Sequence, residues 1–153
     1  MATADELDEV DRTLLTLLIE NSRLSHAELG RRVKLSRAAV RERVNRLVRR
    51  GVIERFTVVL NPEALGKHVS AFFQIDVEPH HLLDVASVLA NNEDVVSMYQ
   101  TTGPSTLHVH AVLRDRADLE RFLTQVLYRL EGITRVESHI VLTRFKTEYG
   151  VRV

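Results

Sequence analysis

Residues 24–51, LSHAELGRRVKLSRAAVRERVNRLVRRG, carry the pattern that decides the fold of the first third of the chain. Ser25 is followed three residues later by Glu28, which is the spacing of a capping box at the start of a helix. This pair predicts a helix over residues 25–33. A turn at residues 34–35 follows, and the stretch therefore predicts two helices joined by a tight turn.

The second helix of this stretch begins after the cap Ser36 and stops at Gly51. Its apolar residues recur at helical spacing and form one inward stripe, made of Val40, Val44, Leu47 and Val48. At about 3.6 residues per turn, the opposite face carries Ala38, Glu42, Asn45, Arg46 and Arg49, flanked by Arg37, Arg41 and Arg43. The outward face is therefore basic, with a small residue near the helix start.

The positive charge of the chain is concentrated in this region. Residues 31–55 contain ten lysines and arginines and two glutamates, a net charge of +8, whereas the whole chain balances 21 basic against 21 acidic residues. Each phosphate that such a patch neutralises releases condensed counterions, and arginine also fits the two acceptors of guanine in the major groove. An isolated basic helix is more often a solvated surface. The capping, the turn length and the helix spacing together favour a helix-turn-helix that docks on DNA.

Composition bounds the other function classes. A chain of 153 residues with 44% hydrophobic composition is long enough for one domain or two small ones, and the local basic patch favours two. No apolar run approaches the ~18 to 20 residues of a membrane span, and the acidic N-terminus resembles neither a signal nor a transit peptide. The absence of cysteine excludes disulfides, thiolate metal sites and thiol nucleophiles. We expect a cytoplasmic protein without membrane association.

A third helix is predicted upstream of the pair. Apolar residues recur at helical spacing in residues 8–20, at the positions Val10, Leu14, Leu17 and Leu18. The acids Asp8, Glu9 and Asp11 lie in its first turn, where they complement the helix dipole. We expect this helix to complete a three-helix core and to have a structural role only.

The pattern changes after the second helix of the pair. Residues 52–60, VIERFTVVL, are β-branched and aromatic and predict a strand, and residues 61–66 predict a turn. We therefore place a helix-turn-helix DNA-binding domain at residues 1–51, a linker strand and turn at 52–66, and a second domain at 67–153.

The second domain opens with an alternating strand, in which Val69, Ala71, Phe73, Ile75 and Val77 share one face. The remaining predicted elements are a helix at 79–90, strands at 95–101 and 106–113, a helix with an apolar stripe at 119–130, and a strand at 133–145. The order βαββαβ is the ferredoxin-like arrangement, so the fold class is α+β.

Both helices of such a domain lie on one side of its sheet, and the other side is bare in a single copy. That side carries Phe72, Val112 and Val141, more apolar surface than a solvated face needs. The pattern predicts a homodimer with two-fold symmetry. A helix-turn-helix that reads a palindrome requires the same symmetry.

Two segments of the chain resemble the Lrp/AsnC (feast/famine) family of transcriptional regulators. Residues 7–66, LDEVDRTLLTLLIENSRLSHAELGRRVKLSRAAVRERVNRLVRRGVIERFTVVLNPEALG, look like the family's DNA-binding start. Residues 127–146, LYRLEGITRVESHIVLTRFK, look like the end of its ligand-responsive domain. The resemblance implies a bacterial or archaeal regulator that binds double-stranded DNA as dimers. Such dimers often assemble into octamers, with an amino acid or related metabolite bound between sheet domains.

The resemblance also implies which residues contact DNA. The matching positions are Arg37, Ala38, Ala39, Glu42, Arg43 and Arg46. We predict base reading by Arg37, Ala38 and Arg43, and backbone contacts by Arg46, Arg49 and Arg50, with Arg41 completing the set. Glu42 either accepts from cytosine N4 or pairs with Arg46 one turn further on, and the second role is favoured.

The effector turn departs from the family's pattern. Where relatives have Gly-Asp-x-Asp, residues 101–106 read TTGPST, which keeps the glycine and lacks the carboxylates that would satisfy an ammonium group. The effector therefore differs, binds weakly or is absent. A pocket, if one forms, is predicted at Tyr99, Thr101, Thr102, Gly103, Ser105 and Thr106. A polar turn without a ligand is an equally good prediction.

The seven histidines give no strong metal site. His108 and His110 share one face of a strand, and His80, His81 and His139 are candidates to approach them. Imidazoles at this spacing bind zinc or nickel, but no third ligand is fixed in the same element. We predict surface or interface histidines, with neither a resident metal nor a cofactor.

Enzyme signatures are absent from the sequence. It contains no P-loop, GxGxxG, HExxH or GxSxG motif, so we predict no enzymatic activity. The leading prediction is a sequence-specific transcriptional regulator. A DNA-organising protein with little sequence preference stays open, as does an enzyme on the ferredoxin-like domain, a fold that hosts many functions.

Overall fold

The computed structural model describes residues 7–102 and 106–146 of the chain. These residues form two compact units, divided between Val59 and Leu60. None of the helices in the described ranges has the length and hydropathy that crossing a membrane would need.

The first unit has the three-helix core that the sequence predicts. Its helices are α1 (Glu9–Glu20), α2 (His26–Val33) and α3 (Arg37–Arg49). Side chains from all three helices meet in one buried cluster, made of Leu14, Leu18, Leu29, Val40 and Val44. Burying a leucine or valine side chain contributes about 1.5 to 3 kcal/mol, so this cluster is the main source of cohesion in a small unit.

The predicted helix caps are confirmed. Ser25 Oγ accepts a hydrogen bond from the backbone N–H of Glu28, and the Glu28 carboxylate accepts one from the backbone N–H of Ser25 at 2.8 Å. Ser36 Oγ accepts from the Ala39 N–H at 3.1 Å. These bonds satisfy donors that the first turn of a helix leaves without an intrahelical partner.

The turn between α2 and α3 is fixed by a close approach of backbone to backbone. Lys34 takes up the left-handed conformation with φ of 57°, and the Leu35 N–H donates to the Gly30 carbonyl at 2.9 Å. A Cβ atom at Gly30 would lie 2.5 Å from the Leu35 carbonyl oxygen. The absence of a side chain at position 30 therefore lets the turn lie directly on α2.

The predicted strand at residues 52–60 is wrong. The backbone N–H groups of Val52 and Ile53 both donate to the Leu47 carbonyl, which finishes α3, and no strand is present in this segment. Val52 and Ile53 are half-buried, and the apolar side chains that follow are exposed, among them Phe56, Val58 and Val59. A strand requires a neighbour that completes its hydrogen-bond ladder, and within the described residues this segment has no such neighbour.

The second unit has the predicted βαββαβ order. Its elements are β1 (Val69–Val77), α4 (Leu82–Ala90), β2 (Val95–Gln100), β3 (Thr106–Leu113), α5 (Arg116–Arg121) and β4 (Ile133–Ile140). The four strands form one antiparallel sheet in the order β2-β3-β1-β4. Its core joins one sheet face to the helices and includes Phe73, Ile75, Val85, Leu89, Val109, Leu119 and Phe122.

Two elements of this unit are shorter than predicted. The helix expected at residues 119–130 is α-helical only to Arg121 and continues as a π-turn and a 3-10 turn up to Arg129. β4 ends at Ile140 instead of residue 145, although the Val141 N–H still donates to the Ser70 carbonyl at 2.8 Å. Because β1 begins at Val69, residues after 141 have no partner on that strand.

We predict that Gly30→Ala lowers the free energy of unfolding of the first unit by about 1 to 3 kcal/mol, the usual penalty for overpacking. The added Cβ forces the Leu35 carbonyl away and opens the turn between α2 and α3. Urea unfolding followed by circular dichroism measures the change. Arg31→Ala, at an exposed position of the same helix, is the control, and an equal loss in both variants would contradict the prediction.

Candidate nucleic-acid interface

The side chains of α3 divide into a buried, a half-buried and an exposed group. Val40, Val44 and Leu47 are buried, as predicted, whereas Val48 is exposed and does not extend the inward stripe. The exposed group consists of Arg37, Ala38, Arg41, Glu42, Asn45, Val48 and Arg49. The half-buried group consists of Ala39, Arg43, Arg46 and Arg50. The predicted DNA-contact residues therefore fall into two environments.

Arg43 and Arg46 bind a buried carboxylate on α1. Asp11 is only 1% exposed, and its two carboxylate oxygens accept from Arg43 Nη1 and Arg46 Nη2, each at 2.9 Å. Asp8, the N-cap of α1, accepts from the same Arg43 atom at 2.5 Å. A buried charge needs a counter-charge, and α3 supplies two. These guanidinium groups therefore tie α1 to α3.

Electrostatic coupling in this cluster is visible in two pKa shifts. The hydrogen bond from Arg43, with the backbone N–H of Asp11, holds the pKa of Asp8 below its ordinary value. The same carboxylates, Asp8 first and then Asp11, raise the pKa of Arg43. Both shifts favour the charged forms of Asp8 and Arg43, as expected for an ion pair.

The position of Asp11 in the first turn of α1 predicted only an interaction with the helix dipole, and the arginine partners of Asp11 were not predicted. The spacing of Asp11 from the apolar residues of α1 does indicate that it is buried. Asp11 precedes Leu14 and Leu18 by three and seven residues, which places it on the buried stripe of α1. An acid on a buried stripe requires a basic partner, and the basic helix α3 offers several.

The expected pair of Glu42 with Arg46 is wrong. Arg46 is held by Asp11, and the Glu42 carboxylate instead accepts from Arg49 Nη2 at 2.7 Å. Residues 42 and 49 lie about two turns apart on the same exposed face. This surface pair neutralises one cation of the outward face in the absence of DNA.

Five basic side chains surround the turn and the start of α3, and we call them the turn cations: Arg31, Arg32, Lys34, Arg37 and Arg41. All five are exposed. Within the ranges that the structure describes, Lys34, Arg37 and Arg41 form no ion pair. The N-terminal end of α3 adds the positive pole of its helix dipole. Exposed cations, small side chains at Ala38 and Ala39, and a helix N-terminus together form a surface suited to a polyanion.

The predicted effector turn is described only in part. Tyr99 is 65% exposed near the end of β2, and Thr101 and Thr102 are exposed just beyond it. Gly103 and Ser105 lie outside the described residues, and Thr106 begins β3. The effector site at these six positions therefore stays a prediction.

The sheet face opposite α4 and α5 carries a histidine and aromatic cluster. Phe72 of β1 stacks on the His110 ring with centroids 4.3 Å apart, and Ser70 Oγ lies 2.7 Å from His110 Nε2. Burial, followed by the charge of Arg144, lowers the pKa of His110. Phe72 is 49% exposed, whereas Val112, predicted to add to the exposed apolar surface, is only 5% exposed. Val112 thus adds little exposed apolar surface to this face.

Both units match known family models. Residues 7–48 match the AsnC-type helix-turn-helix domain, and residues 70–151 match the Lrp/AsnC ligand binding domain. The chain belongs to the Lrp/AsnC family. It is a DNA-binding transcriptional regulator of that family, with a helix-turn-helix unit followed by a ligand-binding domain. The predicted family and the predicted α+β fold class are confirmed.

Individual Lrp/AsnC relatives resemble the chain over nearly its full length. An uncharacterised HTH-type transcriptional regulator of Pyrococcus abyssi is 37% identical over 145 residues, covering 95% of this chain and 92% of that protein. The HTH-type transcriptional regulator Ptr1 of Methanocaldococcus jannaschii is 34% identical over 140 residues, covering 92% and 95%. Among solved structures, a transcriptional regulator of Neisseria meningitidis in complex with L-Met superposes with a TM-score of 0.89 at 26% identity, covering 95% and 96%.

We predict that Asp11→Asn destabilises the helix-turn-helix unit of this Lrp/AsnC protein by about 2 to 3 kcal/mol, somewhat less than the loss of a fully buried pair because both arginines keep contact with water. The amide removes the charge that holds Arg43 and Arg46. Urea unfolding measures the change, with Glu9→Gln as the exposed control on the same helix. Equal stability of Asp11→Asn and wild type would show that the network does not hold the unit together.

Proposed function

We propose that this regulator binds operator DNA sequence-specifically, with the N-terminal half of α3 in the major groove. The observation that supports this proposal is that the arginines of α3 fall into an exposed group and a group bound by a carboxylate. Arg37 and Arg41 are exposed and have no ion pair in the described residues, whereas Arg43 and Arg46 are held by Asp11. Side chains that must reach base edges need this kind of exposure.

The proposal gives separate roles to the predicted contact residues. Arg37 and Arg41 read guanine through bidentate hydrogen bonds, and the exposed Ala38 lets the helix approach the bases closely, with Ala39 behind it. Asn45, on the same exposed face, is placed to pair with adenine. Arg43 and Arg46 act mainly by holding α1 on α3.

Phosphate contacts are assigned to the remaining cations. Lys34, Arg31 and Arg32 lie at or beside the turn, and Arg49 and Arg50 lie at the end of α3. Contacts at both ends of the helix fix its register along the groove without reading sequence. Arg49 exchanges its bond with Glu42 for a phosphate when DNA binds.

A binding titration tests these roles. We predict that Arg37→Ala and Arg41→Ala each weaken binding to the DNA upstream of the protein's own gene by about tenfold or more, which is the range of a lost bidentate base contact. Binding to a scrambled duplex weakens much less. Lys34→Ala weakens both duplexes alike and reduces the slope of log affinity against log salt by about 1. Fluorescence anisotropy across a salt series measures all three variants.

The control for this titration is Arg116→Ala, which removes one exposed positive charge from the second unit. We expect its DNA affinity to stay close to that of the wild type. If Arg37→Ala and Arg41→Ala weakened the native and the scrambled duplex equally, the helix would not read bases. The protein would then organise DNA with little sequence preference.

We further propose that two copies associate through the bare sheet face. Phe72 and Tyr99 expose aromatic surface there, and the His110 ring is already partly withdrawn from water. A two-fold pair covers this surface and presents two α3 helices to the two halves of a palindrome. Further assembly of dimers to octamers is part of the same proposal and follows the behaviour of the family.

We predict that Phe72→Glu shifts the protein from dimer to monomer at micromolar concentration, because it places a charge in the proposed apolar contact. Sedimentation velocity measures the mass of the protein. We also expect the DNA complex to lose the protein's contacts with the weaker of the two half-sites. Ile19→Glu, at an exposed apolar position of α1, is the control. An unchanged mass for Phe72→Glu would exclude this face as the dimer contact.

The ligand-binding domain leads us to propose an amino acid or related metabolite as effector. The Neisseria meningitidis relative is described in complex with L-Met. In this chain the site proposed at Tyr99, Thr101, Thr102, Gly103, Ser105 and Thr106 offers hydroxyl and backbone groups instead of carboxylates. We propose no enzymatic activity for this protein. We also propose that it acts on the chromosome, in the cytoplasm of a bacterium or archaeon.

A further inference from the structure

The turn between β1 and α4 brings together three side chains that the proposed regulator function does not use. A 3-10 turn spans Pro79–His81, and Glu78 precedes it directly. One ligand atom from each of Glu78, His80 and His81 lies within 4.8 Å of the other two. Two imidazoles and one carboxylate form the donor set that zinc sites with an open position commonly use.

The distances within this trio are close to those of a metal site. Glu78 Oε2 lies 3.4 Å from His80 Nε2 and 4.0 Å from His81 Nε2. Ligands about 2.0 to 2.1 Å from a tetrahedral zinc ion are separated by roughly 3.4 Å. The first distance therefore already fits, and the second is somewhat longer. The two imidazole rings are neighbours, with centroids 4.3 Å apart.

The backbone around the trio is held in place from two sides. The Glu78 N–H donates to the Gly132 carbonyl at 2.8 Å, and the His81 N–H donates to the Glu78 carbonyl at 2.9 Å. The His81 side chain lies so close to Gly132 that a Cβ atom there would be 2.3 Å from the His81 Cβ. Gly132 has φ of 86°, a conformation that glycine adopts without strain. Position 132 is therefore shaped around the His81 side chain.

In the described ranges the Glu78 carboxylate forms no ion pair with a lysine or arginine, and its nearest basic neighbours are the two imidazole rings. Glu78 and His80 are exposed, and His81 is half-buried. The three donors are thus open to an ion arriving from solvent. Three protein ligands leave one coordination position for water or for a donor from another molecule.

We propose that Glu78, His80 and His81 bind a divalent transition-metal ion, with Zn²⁺ as the representative of the class. The imidazole nitrogens select Zn²⁺, Co²⁺, Ni²⁺ or Cu²⁺ over Mg²⁺ and Ca²⁺, which prefer all-oxygen ligand sets. The site joins the end of β1 to the start of α4, and Gly132 links it to the start of β4. A bound ion therefore stabilises the sheet unit at the point where these three elements meet.

Metal titration of the full-length protein, without an affinity tag that itself binds metal, tests the proposal. Isothermal calorimetry with ZnCl₂ gives affinity and stoichiometry, and CoCl₂ gives the visible absorption of a Co²⁺ ion held by nitrogen and oxygen donors. We expect one Zn²⁺ ion per chain and no detectable binding of Mg²⁺. Zn²⁺ also raises the melting temperature of the wild type, because it binds the folded state.

Three variants and one control make the test specific. His80→Ala, His81→Ala and Glu78→Gln each lower the Zn²⁺ affinity by about tenfold or more and remove the melting-temperature shift. His68→Ala, an exposed histidine of the same unit, leaves both unchanged. Glu78→Gln keeps the size of the side chain and decides the question if His81→Ala fails to fold. Wild-type affinity in Glu78→Gln and His80→Ala, or an equal loss in His68→Ala, would overturn the proposal.

Discussion

A buried carboxylate without a counter-charge destabilises a protein by several kcal/mol, and Asp11 meets this constraint with two guanidinium groups from α3. These ion pairs affect more than the stability of the unit. The same ion pairs join α1 to α3, and they engage Arg43 and Arg46 with a carboxylate of the protein itself. The network thus joins two of the three helices that also share the apolar core of leucine and valine side chains.

The helix α3 has to satisfy two demands with one sequence. It packs Val40, Val44 and Leu47 inward, and it presents a basic surface outward. Arginine serves both demands, because its guanidinium group bonds carboxylate, phosphate and guanine with similar geometry. Position on the helix then decides the role. Arg43 and Arg46 face α1, while Arg37 and Arg41 face solvent beside a turn that a glycine at position 30 keeps tight.

The second unit is a sheet covered on one face by its two helices. Its other face combines Phe72, stacked on His110, with exposed polar residues, so one chain leaves partly apolar surface in contact with water. The apolar side chains of residues 56–60 are also exposed, because in the described part of the chain this segment has no neighbouring strand with which to form a sheet. At the end of β1, the turn that carries Glu78, His80 and His81 packs against Gly132, and the three proposed metal ligands lie next to one another there.

The features that depend on near neighbours in the chain were predictable from the amino-acid sequence. The caps at Ser25 and Ser36, the three helices of the first unit, the extent of β3 and the βαββαβ order all follow from spacing over a few residues. Which arginines bind a carboxylate was not predictable from local spacing, because Asp11 contacts Arg43 and Arg46 across 32 and 35 residues of sequence. The tertiary structure also decided where strands end. Residues 52–60 and 141–145 have strand-like composition, but a strand forms only where a partner far away in the chain completes its ladder.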